Sequence, residues 1–256
     1  MSDDNPVKQR ATLGDGYRQY FEMSPALETD RINDVHFIRH DVYARELGFE
    51  AVRTDQRESD TYDRHAVHCL VRTVNTPIRL AGCARVVLTD RHDPEALLPF
   101  EVYCKGSIDR SIIDPSKLPR KKVAEISRVA VMGEFRRRKG EGGQEAPVAD
   151  QDFGDDKQPR FPYIPISLYF AAVQMAQRAG IEYLFTLTEP RLAQHFGKLG
   201  VNVITIGEAV EHRGLRVPSM LMANEIYGSL RSLVRPLWHA VEEQMAPVYA
   251  RRAATS

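Results

Sequence analysis

The order in which hydrophobic periods succeed one another constrains this chain most. Residues 66–73 and 78–88 have strand character and flank a turn at Asn75-Thr76-Pro77, which predicts an antiparallel hairpin. A third strand is expected at 124–132. Beyond it the period alternates. A helix in which Ile164, Leu168, Ala171, Ala172, Met175 and Ala179 recur at helical spacing ends at Gly180. A strand at 183–188, a helix at 191–199, strands at 201–206 and 217–223, and a last helix at 226–249 complete the pattern. Upstream, the spacing predicts a strand at 17–23 and a helix at 30–47 with Ile32, Val35, Ile38 and Val42 as its apolar stripe. A hairpin followed by alternating strands and helices predicts an α/β fold, a mixed central sheet flanked by helices on both faces.

Composition removes several function classes. The 256 residues carry 35 basic and 35 acidic side chains, so the chain is not a globally basic nucleic-acid binder. Hydrophobic residues at 43% are enough for a packed core and too many for a disordered tail. No apolar run approaches the roughly 20 residues of a bilayer span, and the N-terminal MSDDNPVKQR lacks the apolar centre of a signal peptide. Cys69, Cys83 and Cys104 imply no disulfide framework and lack zinc spacing, so no metal is expected and the reading is cytoplasmic. The stretch 140–162, rich in Gly, Pro and acid, reads as a mobile loop interrupting one domain that spans 1–256.

The anomaly is charge inside hydrophobic elements. Arg39 sits just beyond the stripe of the first long helix with Tyr43 one turn later, Arg85 lies within RLAGCARVVL, and Glu125 and Arg128 lie within AEISRVAV. ESDTYD, before the second strand, adds Glu58, Asp60 and Asp63. Strand alternation puts Glu125 and Arg128 on opposite faces unless a bulge re-aims one of them. Taken singly, each charge reads as a structural ion pair. Three arginines and several carboxylates converging from separate segments point to a site, because a buried ionic network is poorly explained by stability alone.

The register R-x3-Y-x5-F at Arg39, Tyr43 and Phe49, then ESDTYD, Arg85 and EISR, resembles the acyl-homoserine-lactone synthases of quorum sensing, a branch of the GNAT-like acyltransferases. The resemblance runs from about Val35 to Ile206. EISRVAVMGEFRRRKGE and HRGLRVPSML, with a C-terminal helical extension at about 226–250, resemble a sister group, the PEP-CTERM/exosortase system-associated acyltransferases, and the related long-chain N-acyl amino acid synthases. Phe49 stands where lactone synthases carry Trp, which together with the extension points away from S-adenosylmethionine as substrate.

The resemblance implies a GNAT-like fold and transfer of a fatty acyl group from the phosphopantetheine thioester of acyl-acyl-carrier protein to an amino acid or similar amine, with no bound cofactor. Glu125 is then the candidate base, with Arg128, Asp60 and Asp63 completing the catalytic set. Arg39, Tyr43, Phe49 and Arg85 are candidates for binding substrate, and backbone N–H groups around Val129 and Val131 for polarising the thioester carbonyl. Asp60 and Asp63 either hold an ammonium group or order the loop before the second strand, and the arginines either fix these carboxylates or fork onto an acceptor carboxylate. Between Lys117 and Lys139 nine basic residues face two acidic ones. Arg120, Lys121, Lys122, Arg136, Arg137, Arg138 and Lys139 are therefore candidates for docking the acidic carrier protein, with a solvated charge run as the alternative. No aromatic residues interleave with these charges as nucleic-acid binding would require. The rival functions are an acyl-homoserine-lactone synthase and a carrier sensor that has lost its chemistry.

Overall fold

The computed structural model describes residues 11–136 and 162–255. The chain opens with helix α1 (Leu13–Tyr20), not with the strand expected at 17–23, because Thr12 and Asp15 form a reciprocal capping box that starts a helical turn. Strand β1 (Phe21–Pro25) follows only once that helix has ended. Helix α2 (Thr29–Arg39) runs directly into a π-helical segment, His40–Glu46, covering the rest of the helix expected at 30–47. Strands β2 (Ala66–Thr73) and β3 (Leu80–Leu88) form the expected antiparallel hairpin. The short helix α3 (Pro99–Tyr103), which the hydrophobic periods did not reveal, precedes strand β4 (Val123–Val131).

Helix α4 (Tyr163–Arg178) ends before Gly180, whose φ of +75° favours glycine there. Strand β5 (Tyr183–Thr188) and helix α5 (Pro190–Lys198) lie where the sequence puts them. The strand expected at 201–206 shrinks to β6 (Ile204–Thr205), since Val201 N–H still bonds back to Phe196 and closes the end of α5. Strands β7 (Val210–Glu211) and β8 (Leu215–Met222) make a tight hairpin. The last expected helix is two helices, α6 (Ile226–Ser229) and α7 (Arg235–Thr255). Leu230 is extended, Pro236 suits the first turn of α7, and the break packs on Gly200, where a Cβ would stand 2.2 Å from the Ser229 carbonyl.

The sheet runs in the order β1-β2-β3-β4-β5-β8-β6, with β7 beside β8, and only β4 and β5 pair in parallel. One face carries α4 and α7 over a core that includes Ala84, Val86, Ala124 and Ile126. The other carries α2 over Leu70, Cys83 and Ala130 at one end, and α3 over Val87, Val123 and Phe185 at the other. The expected mixed sheet with helices on both faces is therefore present. Among the described residues no helix is long and apolar enough to cross a membrane.

Two irregularities open the middle of this sheet. The β4–β5 ladder runs from Val123/Tyr183 to Ile126/Thr186 and stops, although both strands continue. On the other side of β4 the register with β3 slips between Cys83 and Arg85, opposite Arg128, whose φ is +51°. This is a bulge, and bulges bend a strand and change which way its side chains face.

Candidate active site

The bulge resolves the alternation problem. Ala124, Ile126, Val129 and Val131 all join the core under α4, whereas Ala130 joins the core under α2. Two successive residues, Ser127 and Arg128, therefore separate Ile126 from Val129, and Arg128 shares the face of Glu125 and Ser127. That face also carries Arg85, whose Nε donates to Ser127 Oγ at 3.1 Å.

The charges form one network. Arg39 is fully buried; it pairs with Glu58 through Nε and with Asp63 at 2.6 Å. Arg85, 1% exposed, donates to Asp60 at 2.6 Å and to Asp63 at 2.9 Å. Arg128 reaches Glu50 at 3.1 Å and both Glu58 and Asp60 at 3.3 Å, and its guanidinium lies 5.4 Å from the Tyr43 ring centroid. Arg213 from the β7–β8 turn pairs with the same Glu50 oxygen. Burial opposes charge on Glu58, but Arg39 and Arg128 outweigh it and hold its carboxyl down to about 2. The same balance, with Arg39 and Arg85 as partners, holds Asp63 well below the usual carboxylate range. Burial and Arg39 push the His68 imidazole down to about 3, so it stays neutral beside Asp63.

Asp60 and Asp63 also build the turn before β2. Asp63 accepts from the Asp60 N–H at 2.7 Å and Asp60 from the Tyr62 N–H at 2.9 Å. Of the two roles read for these carboxylates, the geometry gives them the ordering of this turn and the fixing of arginines. Neither lines the cleft described below, and Arg39 does not line it either.

Glu125 stands apart from the ion pairs. It is 2% exposed, and one oxygen accepts from the Phe100 N–H at 2.8 Å, at the start of α3. It makes no salt bridge among the described residues, so the reading of each charge as a structural ion pair does not describe Glu125. Burial dominates and pushes its carboxyl up to about 8, against the opposing pull of the Phe100 N–H and of Arg85 and Arg128. A carboxyl so placed exchanges a proton near neutral pH, which suits an acid–base group.

Glu125 lines a cleft of about 810 Å³, counted out to its open mouth, where β4 and β5 separate. Of the candidate site residues, Tyr43, Phe49, Arg85, Arg128 and Val129 also line it, while Val131 lies inside the core at 1% exposure. Tyr43 is aimed by the π-helical segment: its OH donates to the Val129 carbonyl at 3.0 Å, and burial pushes that hydroxyl up to about 12. Arg128 Nε is buried without a hydrogen-bond partner among the described residues. A second, much narrower pocket shares Ile126, Tyr169, Thr186 and Thr188 with the cleft. It continues between Phe170, Val173, Val201 and Leu221, with a lining that exposes only carbon. A polar cleft beside an apolar pocket accommodates a molecule with a reactive polar end and an aliphatic tail.

The basic segment behaves differently from the expectation. Arg120 turns inward and forks onto Glu101 at 2.9 and 2.8 Å, with the Ala96 carbonyl also accepting, so it is a structural residue and no docking contact. Lys122 pairs with Glu182 at 2.9 Å and Arg136 with Glu46; Lys121 is exposed. Arg137, Arg138, Lys139 and the loop at 140–162, apart from Pro162, lie outside the described residues. The three cysteines are buried and free, and burial pushes Cys83 up to about 12.

Sequence reasoning missed Glu50, Tyr103, Tyr169, Thr186, His212 and Arg213. HRG at 212–214 holds a usable signal, a His-Arg pair before a glycine between two strands. Glu50 is one residue past the Phe49 already singled out.

Residues 38–142 match the family model described as an acetyltransferase (GNAT) domain. The chain is similar in structure to TofI, crystallised in a ternary complex with an inhibitor and MTA, at 20% identity and a TM-score of 0.55, covering 84% of this chain and 96% of TofI. The fold is GNAT-like. Other similar structures are the AHL synthase LasI, at 17% identity and TM-score 0.53 over 82% of this chain and 95% of LasI. A third is FeeM, an N-acyl amino acid synthase from uncultured soil microbes, at 13% identity and TM-score 0.53 over 82% of this chain and 94% of FeeM. No curated protein sequence matches the chain significantly.

Proposed function

We propose that the protein transfers a fatty acyl group from acyl-acyl-carrier protein to the amino group of an amino acid or similar amine. The observation that carries this reading is the adjacency of the two pockets, which share Ile126, Tyr169, Thr186 and Thr188, with a carboxyl of raised pKa in the polar one and only apolar surface exposed in the other. The acyl tail fills the apolar pocket past Ile126 and Tyr169, and the thioester carbonyl lies in the split between β4 and β5. The amine nitrogen attacks that carbonyl, the N–C bond forms and the C–S bond breaks. Glu125 takes the proton released by the amine, directly or through a water, and the thiolate leaves with a proton from solvent or from Glu125. Arg128, whose Nε has no hydrogen-bond partner among the described residues, stabilises negative charge on the carbonyl oxygen, alongside backbone N–H groups near Val129. Arg39, Arg85, Glu58, Asp60 and Asp63 are positioning residues that hold Arg128 and Ser127 in place.

FeeM, named as an N-acyl amino acid synthase, supports an amino-acid acceptor, and the segments that resemble exosortase-associated acyltransferases point the same way. A second reading, acyl-homoserine-lactone synthesis, is favoured by the likeness to TofI bound to MTA and to a CoA-dependent lactone synthase, BjaI, bound to SAM and isopentyl-CoA at TM-score 0.51. Thiol release from acyl-carrier protein and from acyl-CoA, measured with amino acids or with S-adenosylmethionine as acceptor, separates them. The proposal predicts release with amino acids and carrier-linked donor. Release only with S-adenosylmethionine, accompanied by methylthioadenosine, supports the lactone synthase.

A further inference from the structure

Glu50 and Arg213 come from segments 163 residues apart and pair beside the cleft, which Arg213 lines and Glu50 does not; neither belongs to the charges that the sequence singled out. Glu50 is held by its backbone, since both its N–H and that of Phe49 donate to the Tyr43 carbonyl, at 3.1 and 2.7 Å. One of its oxygens accepts from Arg128 and from Arg213 together. Arg128 keeps Glu58 and Asp60 if Glu50 leaves, but Glu50 is the only carboxylate that Arg213 meets among the described residues. Arg213 lines the cleft beside His212, which stacks on Tyr103 with ring centroids 3.8 Å apart.

The charges in this network balance. Arg39, Arg85, Arg128 and Arg213 face Glu50, Glu58, Asp60 and Asp63. A carboxylate arriving from a ligand adds an uncompensated negative charge to a largely desolvated site unless one of these acids withdraws. Glu58 and Asp63, with side chains 6% and 11% exposed, are locked between buried arginines. Asp60 is 26% exposed but anchors both Arg85 and the turn before β2. Glu50, 25% exposed, is the acid free to swing outward.

We propose that Glu50 is an internal substitute for the acceptor's carboxylate, and that Arg213, freed when Glu50 turns to solvent, binds that carboxylate and selects acceptors carrying one. The inference rests on the acyl-transfer reading only for the identity of the ligand as acceptor. It makes Arg213 a specificity residue and Glu50 its competitor, with a forked guanidinium–carboxylate contact as the recognition element.

The test uses product-like probes and needs no turnover. Binding of N-decanoylglycine and N-decanoylglycinamide to the full-length protein is measured by calorimetry for the natural protein, Glu50→Gln and Arg213→Gln, with thermal unfolding as the check on folding. The expected result is tighter binding of the acid than of the amide, a further three- to tenfold gain for the acid alone in Glu50→Gln, and loss of the preference in Arg213→Gln. Equal binding of acid and amide by the natural protein, no binding of the acid, or weaker acid binding in Glu50→Gln overturns it. Should Arg213→Gln not fold, Arg213→Lys is read instead, and an undiminished preference for the acid there overturns the inference. If the acid preference follows Glu50 and Arg213 as expected while no amine is acylated in a thiol-release assay, the acyl-transfer reading fails and this one stands.

Discussion

The two faces of β4 differ as sharply as any two regions of the molecule. Toward α4 the strand offers Ile126 to an apolar pocket lined only by carbon. Toward α2 and α3 the same strand offers Ser127 and Arg128 to a network of arginines and carboxylates, and Glu125 to the Phe100 N–H. Plain alternation would have split that polar set, and the bulge at Arg128 gathers it on one side. One strand thus separates tail from chemistry, and the gap beyond Ile126 and Thr186 adjoins both. The comparison also teaches that charge in this site has two uses. Arg39, Arg85, Glu58 and Asp63 satisfy one another and build a frame, whereas Glu125 is buried alone and so acquires a titration near neutrality.

The frame gives the largest expected effect. Arg39→Met leaves Glu58 and Asp63 without their fully buried partner and is expected to cost about 3–5 kcal/mol in denaturant unfolding. A loss below about 1 kcal/mol would mean that the network is not structural and would break the division of roles.

Next comes the lone carboxyl. Glu125→Gln is expected to lower kcat by about 10²-fold or more while leaving donor binding unchanged. Because the base must be ionised, the natural protein's rate should climb with pH through about 8 and that limb should vanish in Glu125→Gln. A drop of less than tenfold, or a pH profile unaffected by the change, removes Glu125 from the role.

The apolar face gives the smallest effect and the sharpest contrast. Val173 lines the part of the pocket away from the cleft. Val173→Phe removes space for two or three methylenes, each worth about 0.8 kcal/mol, so KM for the longest accepted acyl chain should rise roughly fifteen- to sixtyfold while short chains are unaffected. Equal effects on long and short donors would show that the tail lies elsewhere.

Much of this was legible in the residues. The β2–β3 hairpin, β4, α4, β5 and α5 follow from hydrophobic period and turn chemistry, and charges inside strands marked Arg85, Glu125 and Arg128. Other features were not legible. The α1 helix hides behind an aromatic run that reads as strand, because a two-residue capping box outweighs the local pattern. The break before α7 depends on contact with Gly200, a tertiary fact. The Arg128 bulge and the pairing of Glu50 with Arg213 depend on the register between strands and on a meeting across 163 residues, which no local pattern encodes.

The central claim, acyl transfer at Glu125, is tested most directly by intact mass spectrometry of lipid extracts from cells expressing the natural protein beside cells expressing Glu125→Gln. A new fatty-acyl amide present with the first and absent or greatly reduced with the second is the predicted result, and its mass names acceptor and chain length together. The same amide in equal amount from both would contradict the account, as would no new amide from the folded natural protein.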